Sequence, residues 1–118
     1  MTVHLVLFRP RTLLTGEQRA ALASAFELAL RDIPAIRQAR VGRRVMVGRP
    51  YEQLMRNDYP YAAIIEFDDR EGLRAYLDHP AHQQLAARFF DSFEDALIYD
   101  FELHDGTAAL ASLLTDTH

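Results

Sequence analysis

The chain contains no cysteine, no tryptophan and no lysine among its 118 residues. Without cysteine it forms no disulfide, offers no thiolate nucleophile and has no zinc site of the cysteine type. All 13 basic residues are arginine, a bias for which the sequence suggests no functional reason. The formal net charge is −4, which argues against a general nucleic-acid binder because such a protein needs a basic surface to attract phosphates.

Long hydrophobic runs are also absent. The N-terminal run from Val3 to Phe8 is interrupted by His4, is too short for the apolar core of a secretory signal and follows no basic segment. Nothing approaches the length of a membrane span, so we expect no membrane association and a cytoplasmic location. With 49% hydrophobic residues, the chain is expected to bury roughly two thirds of its unfolded surface in one domain, residues 1–104, followed by a tail, residues 105–118.

Strand and helix patterns alternate along the chain. Apolar and β-branched runs predict strands at 3–9, 39–48, 61–67 and 96–103. Between the first two, the capping box formed by Thr15 and Gln18 opens a helix with one apolar stripe that ends at Pro34. Phe26 belongs to that stripe and is a candidate pocket residue.

The second helical segment carries the most distinctive motif, His79-Pro80-Ala81-His82. Asp68 and Glu71 are spaced as a capping box that opens this segment. A histidine directly before a proline predicts a helix break, with His79 as the cap and Pro80 in the first position of the resumed helix. The resumed helix has an apolar stripe that includes Phe89, the second candidate pocket residue.

Two other segments have weaker patterns. The irregular stretch from Arg49 to Pro60 is predicted to form a lid over a pocket, because loops of this length in compact domains are often functional. Its arginines, like those at 40, 43 and 44, are expected to face solvent rather than to bind phosphate. In the tail, residues 108–114 have a weak helical pattern, and the tail either covers a partner subunit or is disordered.

The order β-α-β-β-α-β predicts an α+β fold with a four-stranded antiparallel sheet and both helices on one face. The first and third strands are apolar on both of their alternating faces, so a monomer would expose a large apolar patch. Pairing two sheets face to face about a two-fold axis covers that patch. We therefore predict a homodimer with a central barrel and the helices outside.

Five segments together resemble the stress-responsive α/β-barrel (Dabb) family. They are the opening Val-His-Leu-Val-Leu-Phe, the segment from Pro34 to Gly42, the strand Ala-Ala-Ile-Ile-Glu-Phe at 62–67, the run Leu73-x-x-Tyr76-x-x-His79-Pro80-x-His82 and the closing Ile-Tyr-Asp-Phe at 98–101. The resemblance covers roughly residues 3 to 103. It implies a dimeric, ferredoxin-like α/β barrel, in agreement with the fold derived above.

The resemblance also implies a possible reaction. Plant polyketide cyclases of this family close a ring by aldol chemistry without metal or cofactor. Their catalytic pair, carried over by position, falls on Tyr76 and His82, with a supporting histidine at His4. These cyclases place a tyrosine on the first helix where this chain has Phe26, so the implied substrate differs. The absence of tryptophan argues against a related monooxygenase, since those enzymes have an Asn-Trp-His set.

The residue types fit that chemistry independently of the family. Histidine is the usual base at neutral pH, and a tyrosine hydroxyl donates to an oxyanion. Residues at i and i+6 lie about 240° apart on a regular helix, so only a kink at Pro80 directs Tyr76 and His82 to one place. The alternative is structural: each of His4, Tyr76 and His82 is then a core residue whose polar atom has a partner.

A metal site formed by His4, His79 and His82 has no carboxylate at a clear ligand position, so we predict no metal and no other cofactor. Two functions remain. The first, which we favour, is a small dimeric, stress-related binding protein whose apolar pocket holds a small hydrophobic ligand. The second is a cofactor-free cyclase or lyase in which His82 is the base, Tyr76 the oxyanion donor and His4 a polar support.

Overall fold

The structure is a computed structural model that describes residues 1–115. Nine elements follow one another: β1 Thr2–Pro10, α1 Gly16–Asp32, β2 Gln38–Arg43, α2 Tyr51–Leu54, β3 Tyr61–Phe67, α3 Arg70–Asp78, α4 Pro80–Ser92, β4 Phe93–Glu102 and α5 Leu110–Thr115. Within the described residues, no helix is both long and apolar enough to cross a membrane.

The four strands form one antiparallel sheet in the order β2-β3-β1-β4. This confirms the predicted α+β, ferredoxin-like architecture. In the register of the sheet, His4 of β1 lies opposite Ile65 of β3 and Asp100 of β4. Side chains directly opposite one another point to the same face of a sheet, so these three residues share a face.

Helices α1, α3 and α4 cover that face. Thr15 and Gln18 form the predicted capping box, and the N–H of Ile33, the residue before Pro34, bonds to the carbonyl of Ala29 where α1 ends. One buried cluster joins these helices to β3; its members are Ala29, Ile33, Ile65, Phe67, Leu73, Tyr76, Ala81 and Leu85. The core therefore lies between the sheet and a single layer of helices.

The start of α3 differs from the prediction by one residue. Asp69, not Asp68, is the N-cap, and its carboxylate accepts a hydrogen bond from the N–H of Gly72 at 3.0 Å. Asp68 instead accepts from Arg37 Nε at 2.8 Å. Asp68 and Asp69 are adjacent, and the ion pair with Arg37 engages the first of them. A Cβ on Gly72 would lie 3.2 Å from that of Phe67, so this turn packs tightly against β3.

Other boundaries also moved. β2 ends at Arg43 rather than at 48, and the segment predicted as irregular, 49–60, contains the short helix α2. β4 begins at Phe93 rather than at 96. The weak helix predicted at 108–114 is observed as α5, residues 110–115; residues 116–118 of the predicted tail lie outside the described residues.

The opposite face of the sheet has no helix over it among the described residues. Its apolar side chains come from odd-numbered positions of β1 and β4 and from their partners in β3, and include Leu5, Leu7, Ala62, Ile64, Leu97, Tyr99 and Phe101. By the strand register this face also carries Glu66 of β3 and Arg40 of β2. We call this set the open face. Tyr99 is 54% exposed and Phe101 46% exposed, so β4 leaves aromatic surface uncovered on this face.

Candidate functional site

The junction between α3 and α4 determines how the motif His79-Pro80-Ala81-His82 is arranged. His79 ends α3 and caps α4, with its ring atom Nδ1 accepting the N–H of Ala81 at 3.0 Å. Pro80 occupies the first turn of α4, where its missing N–H costs no hydrogen bond. The extended backbone at His79 interrupts the helical rotation between Tyr76 and His82. Their rings therefore meet, with centroids 4.6 Å apart.

His4 joins this pair from the sheet. It is 6% exposed, and its ring centroid lies 5.6 Å from that of Tyr76, which is 2% exposed. The three residues named from the sequence thus come from β1, α3 and α4 and meet beneath the helix break. Tyr76 lies between the two histidines.

A fourth polar residue, Asp100, belongs to the same cluster. Its Oδ1 lies 2.6 Å from Nδ1 of His4, across the pairing of β1 with β4. Asp100 was not predicted from the sequence, because an aspartate in the alternating pattern of a terminal strand is typical of a solvent-facing position. The signal was the strand order: with β4 beside β1, an even-numbered aspartate shares a face with an even-numbered histidine.

All four residues line one cavity of about 290 Å³ between the sheet and the helices. Apart from this cluster its walls are apolar: Val6, Phe26, Ala63, Ile65, Leu77, Leu85, Ala86, Phe89, Phe90 and Ile98. Both candidate pocket residues, Phe26 and Phe89, are in that lining. A concave apolar site with a few convergent polar groups is the usual form of a small-molecule site.

Burial shifts the pKa values of Tyr76 on α3 and of His82 on α4. It raises the pKa of Tyr76 to about 12, so the hydroxyl stays protonated at neutral pH and acts as a hydrogen-bond donor. The pKa of His82 is lowered, first by burial and second by the nearby His4, while the carbonyl of Leu77 partly opposes the shift. His82 is therefore a neutral imidazole at pH 7.

One expectation from the sequence is not met. No residue from 49–60 lines the cavity, and Tyr51 and Leu54 are 58% and 76% exposed, so this segment is not a lid in the structure. Its own contacts explain its position: Glu52 accepts the N–H groups of Val47 and Arg49, which ties the segment to itself. Among the described residues, no three histidine, aspartate or glutamate side chains cluster as a metal site would require.

Solved structures of other proteins share this fold. One is a dimeric ferredoxin-like protein of unknown function from Thermobifida fusca, with 26% identity, a TM-score of 0.65 and coverage of 86% of this chain and 90% of that one. Hydroxynitrile lyase from Passiflora edulis has 14% identity, a TM-score of 0.74 and coverage of 89% and 94%. A variant of SnoaB, a cofactor-independent oxygenase from Streptomyces nogalater, has 14% identity, a TM-score of 0.64 and coverage of 89% and 94%.

No protein with a curated description matches the chain. The sequence does match the stress responsive A/B barrel domain over residues 2–103, from the start of β1 to just past the end of β4. The resemblance noted from the motif and the strands is confirmed by this match. The chain belongs to the stress responsive A/B barrel domain family.

Proposed function

We propose that this protein binds a small hydrophobic ligand in the cavity between the sheet and the helices. The observation that carries the proposal is the composition of the cavity wall, which is apolar except for the cluster of His4, Tyr76, His82 and Asp100. The apolar wall favours a hydrophobic body by burial, and the cluster favours one polar group on the ligand, such as a carbonyl, at that end.

Two adjacent alanines of α4 allow a matched test. Ala86 lines the cavity, whereas Ala87 is exposed and lies outside it. Phenylacetone, a small aromatic ketone, serves as the probe, and its binding is followed by saturation-transfer NMR and by titration of cavity resonances. Ala86→Phe fills the cavity and is expected to weaken binding at least about tenfold, roughly 1.4 kcal/mol. Ala87→Phe is expected to leave binding unchanged. Equal loss in both variants, or no binding to the wild type, contradicts the proposal.

The second candidate function is a cofactor-free reaction of the cyclase or lyase type. It is favoured by the convergence of two histidines, a protonated tyrosine and a carboxylate at one end of the cavity. Such a set provides a base and an oxyanion donor, which carbon–carbon bond formation next to a carbonyl requires. A comparison of linear polyketide turnover by the wild type and by His82→Ala tests this; unchanged turnover removes His82 from the mechanism.

The protein acts, in this proposal, as a homodimer joined through the open face. The support is the size and apolar character of that face, together with the T. fusca relative, which is described as dimeric. Packing two such faces together removes exposed leucine and aromatic surface from water. Sedimentation of the wild type as a monomer at micromolar concentration overturns this part of the proposal.

A further inference from the structure

We infer that the cavity removes a proton from a carbon atom next to a carbonyl group, with His4 as the base and Asp100 as the residue that positions it. This reverses the roles suggested by the family resemblance, in which His82 is the base and His4 a support. The inference rests on the proposed binding of a hydrophobic carbonyl compound in the cavity and deepens it to a reaction.

The contact with Asp100 determines which nitrogen of the His4 ring carries the proton. An ionised carboxylate only accepts hydrogen bonds, so the 2.6 Å contact with Asp100 places the ring proton of His4 on Nδ1. In a neutral imidazole the lone pair is then on Nε2. Asp100 therefore holds His4 in the tautomer that accepts a proton at the opposite edge of the ring.

The Nε2 edge of the His4 ring is accessible from the cavity. No hydrogen bond joins Nε2 of His4 or the hydroxyl of Tyr76 to another side chain or backbone atom in residues 1–115. Yet the described part of the chain has no fully buried side-chain nitrogen or oxygen without a partner. Both atoms are therefore in contact with accessible space, and the space that both residues line is the cavity. A ligand there meets a proton acceptor and a donor on two rings whose centroids lie 5.6 Å apart.

A positive charge is better stabilised on His4 than on His82. A proton taken by His4 creates an imidazolium 2.6 Å from the Asp100 carboxylate, which stabilises it. A proton taken by His82 has no carboxylate partner among the described residues, and the lowered pKa of His82 reflects burial and the adjacent His4. The other titratable or charged groups near His4 are Tyr76 of α3 and, on the same face of β4, Glu102, which is paired with Arg70 of α3.

The proposed step balances without any co-reactant. Nε2 of His4 takes a proton from the carbon, the electron pair of the broken C–H bond forms the enolate, and the hydroxyl of Tyr76 donates to the enolate oxygen. In simple exchange, the imidazolium returns a proton to the same carbon. In ring closure, the enolate carbon bonds to a second carbonyl carbon, whose oxygen receives the proton from His4.

Deuterium exchange into the methylene group of phenylacetone measures this step directly. The wild type in D2O is expected to accelerate exchange at least about tenfold over buffer, as a positioned general base does. His4→Gln is expected to return the rate to background, whereas His82→Gln, which alters the cavity wall but leaves the pair of His4 and Asp100 intact, is expected to lower it less. Asp100→Asn keeps a hydrogen-bond acceptor but loses the charge, and we expect it to slow exchange at least about tenfold while phenylacetone still binds.

The matched control is Glu102→Gln, which removes one negative charge from the same face of β4 without touching His4; its exchange rate should equal that of the wild type. Exchange that survives His4→Gln but is lost in His82→Gln overturns the assignment. In the unmodified protein, 15N NMR should show His4 protonated at Nδ1, and protonation at Nε2 overturns it without any variant. Probe binding without exchange refutes the inference alone, whereas no probe binding refutes the proposed function.

Discussion

The two faces of the sheet use the same strands for different purposes. Even-numbered positions of β1 and β4, such as His4 and Asp100, point toward the helices and contribute polar groups to the cavity. Odd-numbered positions, such as Leu5 and Tyr99, form the open face, to which β1 and β4 contribute only apolar or aromatic side chains between Val3 and Leu7 and between Leu97 and Phe101. Strands β1 and β4 therefore each contribute residues to both the candidate site and the candidate interface.

This division follows from the geometry of a β-strand, in which successive side chains alternate between faces. A shift of one residue in the pairing of β1 with β4 would exchange the two sets and move His4 into the interface. Stability, association and ligand chemistry should therefore respond separately to substitutions at neighbouring positions. The predictions below test that separation, beginning with the largest expected effect.

The helix-covered face should dominate the stability of the single chain. Phe67 is fully buried at 0% exposure, whereas Phe101 on the open face is 46% exposed. Phe67→Ala is expected to lower the free energy of unfolding by about 3 to 5 kcal/mol, because it removes packing and leaves a cavity. Phe101→Ala is expected to cost under about 1 kcal/mol, as for a half-exposed site. Urea unfolding of both variants, each combined with Tyr99→Glu to weaken association through the open face, measures the difference; equal losses would contradict it.

The open face should dominate association. Tyr99→Glu places a charge in the centre of the proposed interface, and we expect the dimer Kd to rise at least about 100-fold, roughly 2.7 kcal/mol. Asp100→Asn, one residue along β4 and on the other face, should leave the Kd unchanged. Sedimentation velocity over a concentration series distinguishes the two. Similar association of Tyr99→Glu and the wild type would show that the chains meet elsewhere.

The sequence predicted the architecture well because its signals are local or periodic. The capping box of Thr15 and Gln18 and the proline after His79 each depend on residues close together in the chain, and each is present in the structure. The errors occurred where a distant residue decided the outcome. Arg37 binds Asp68 across 31 positions, and this left Asp69 to cap α3.

The candidate site was predictable in part for the same reason. His4, Tyr76 and His82 were found because a motif and a strand histidine marked them, and the cavity contains all three. Asp100 was missed because its partner lies 96 residues away, on a strand whose neighbour in the sheet is fixed only by the complete topology. The lid predicted at 49–60 failed because Glu52 binds the backbone of its own segment, a contact with no pattern in the sequence.

The break between α3 and α4 at His79 is expected to make a smaller contribution to stability. His79→Ala removes the ring nitrogen that accepts the N–H of Ala81, and loss of an N-cap costs about 1 kcal/mol. His104→Ala, at an exposed position after β4, is the matched control and should change stability by less than about 0.5 kcal/mol. Denaturant unfolding at pH 7.5 measures both, and an equal effect of the two substitutions would mean that the cap is dispensable.

The smallest expected effect is the contribution of His82, on the cavity side, to the dependence of stability on pH; the open face carries no histidine in the described residues. The pKa of His82 is lowered in the folded protein by burial and by His4, whereas in the unfolded chain it is about 6.5. Between these two values the unfolded chain holds more protons, so the free energy of unfolding falls as the pH decreases. The contribution of His82 is thus complete above about pH 6.5 and is lost as the pH falls through the folded value.

Urea unfolding between pH 8 and 5 should show a shallower pH dependence for His82→Gln than for the wild type, while His104→Gln should follow the wild type. Parallel curves for all three proteins would mean that His82 titrates as it does in the unfolded chain and that the cavity does not disfavour its charge.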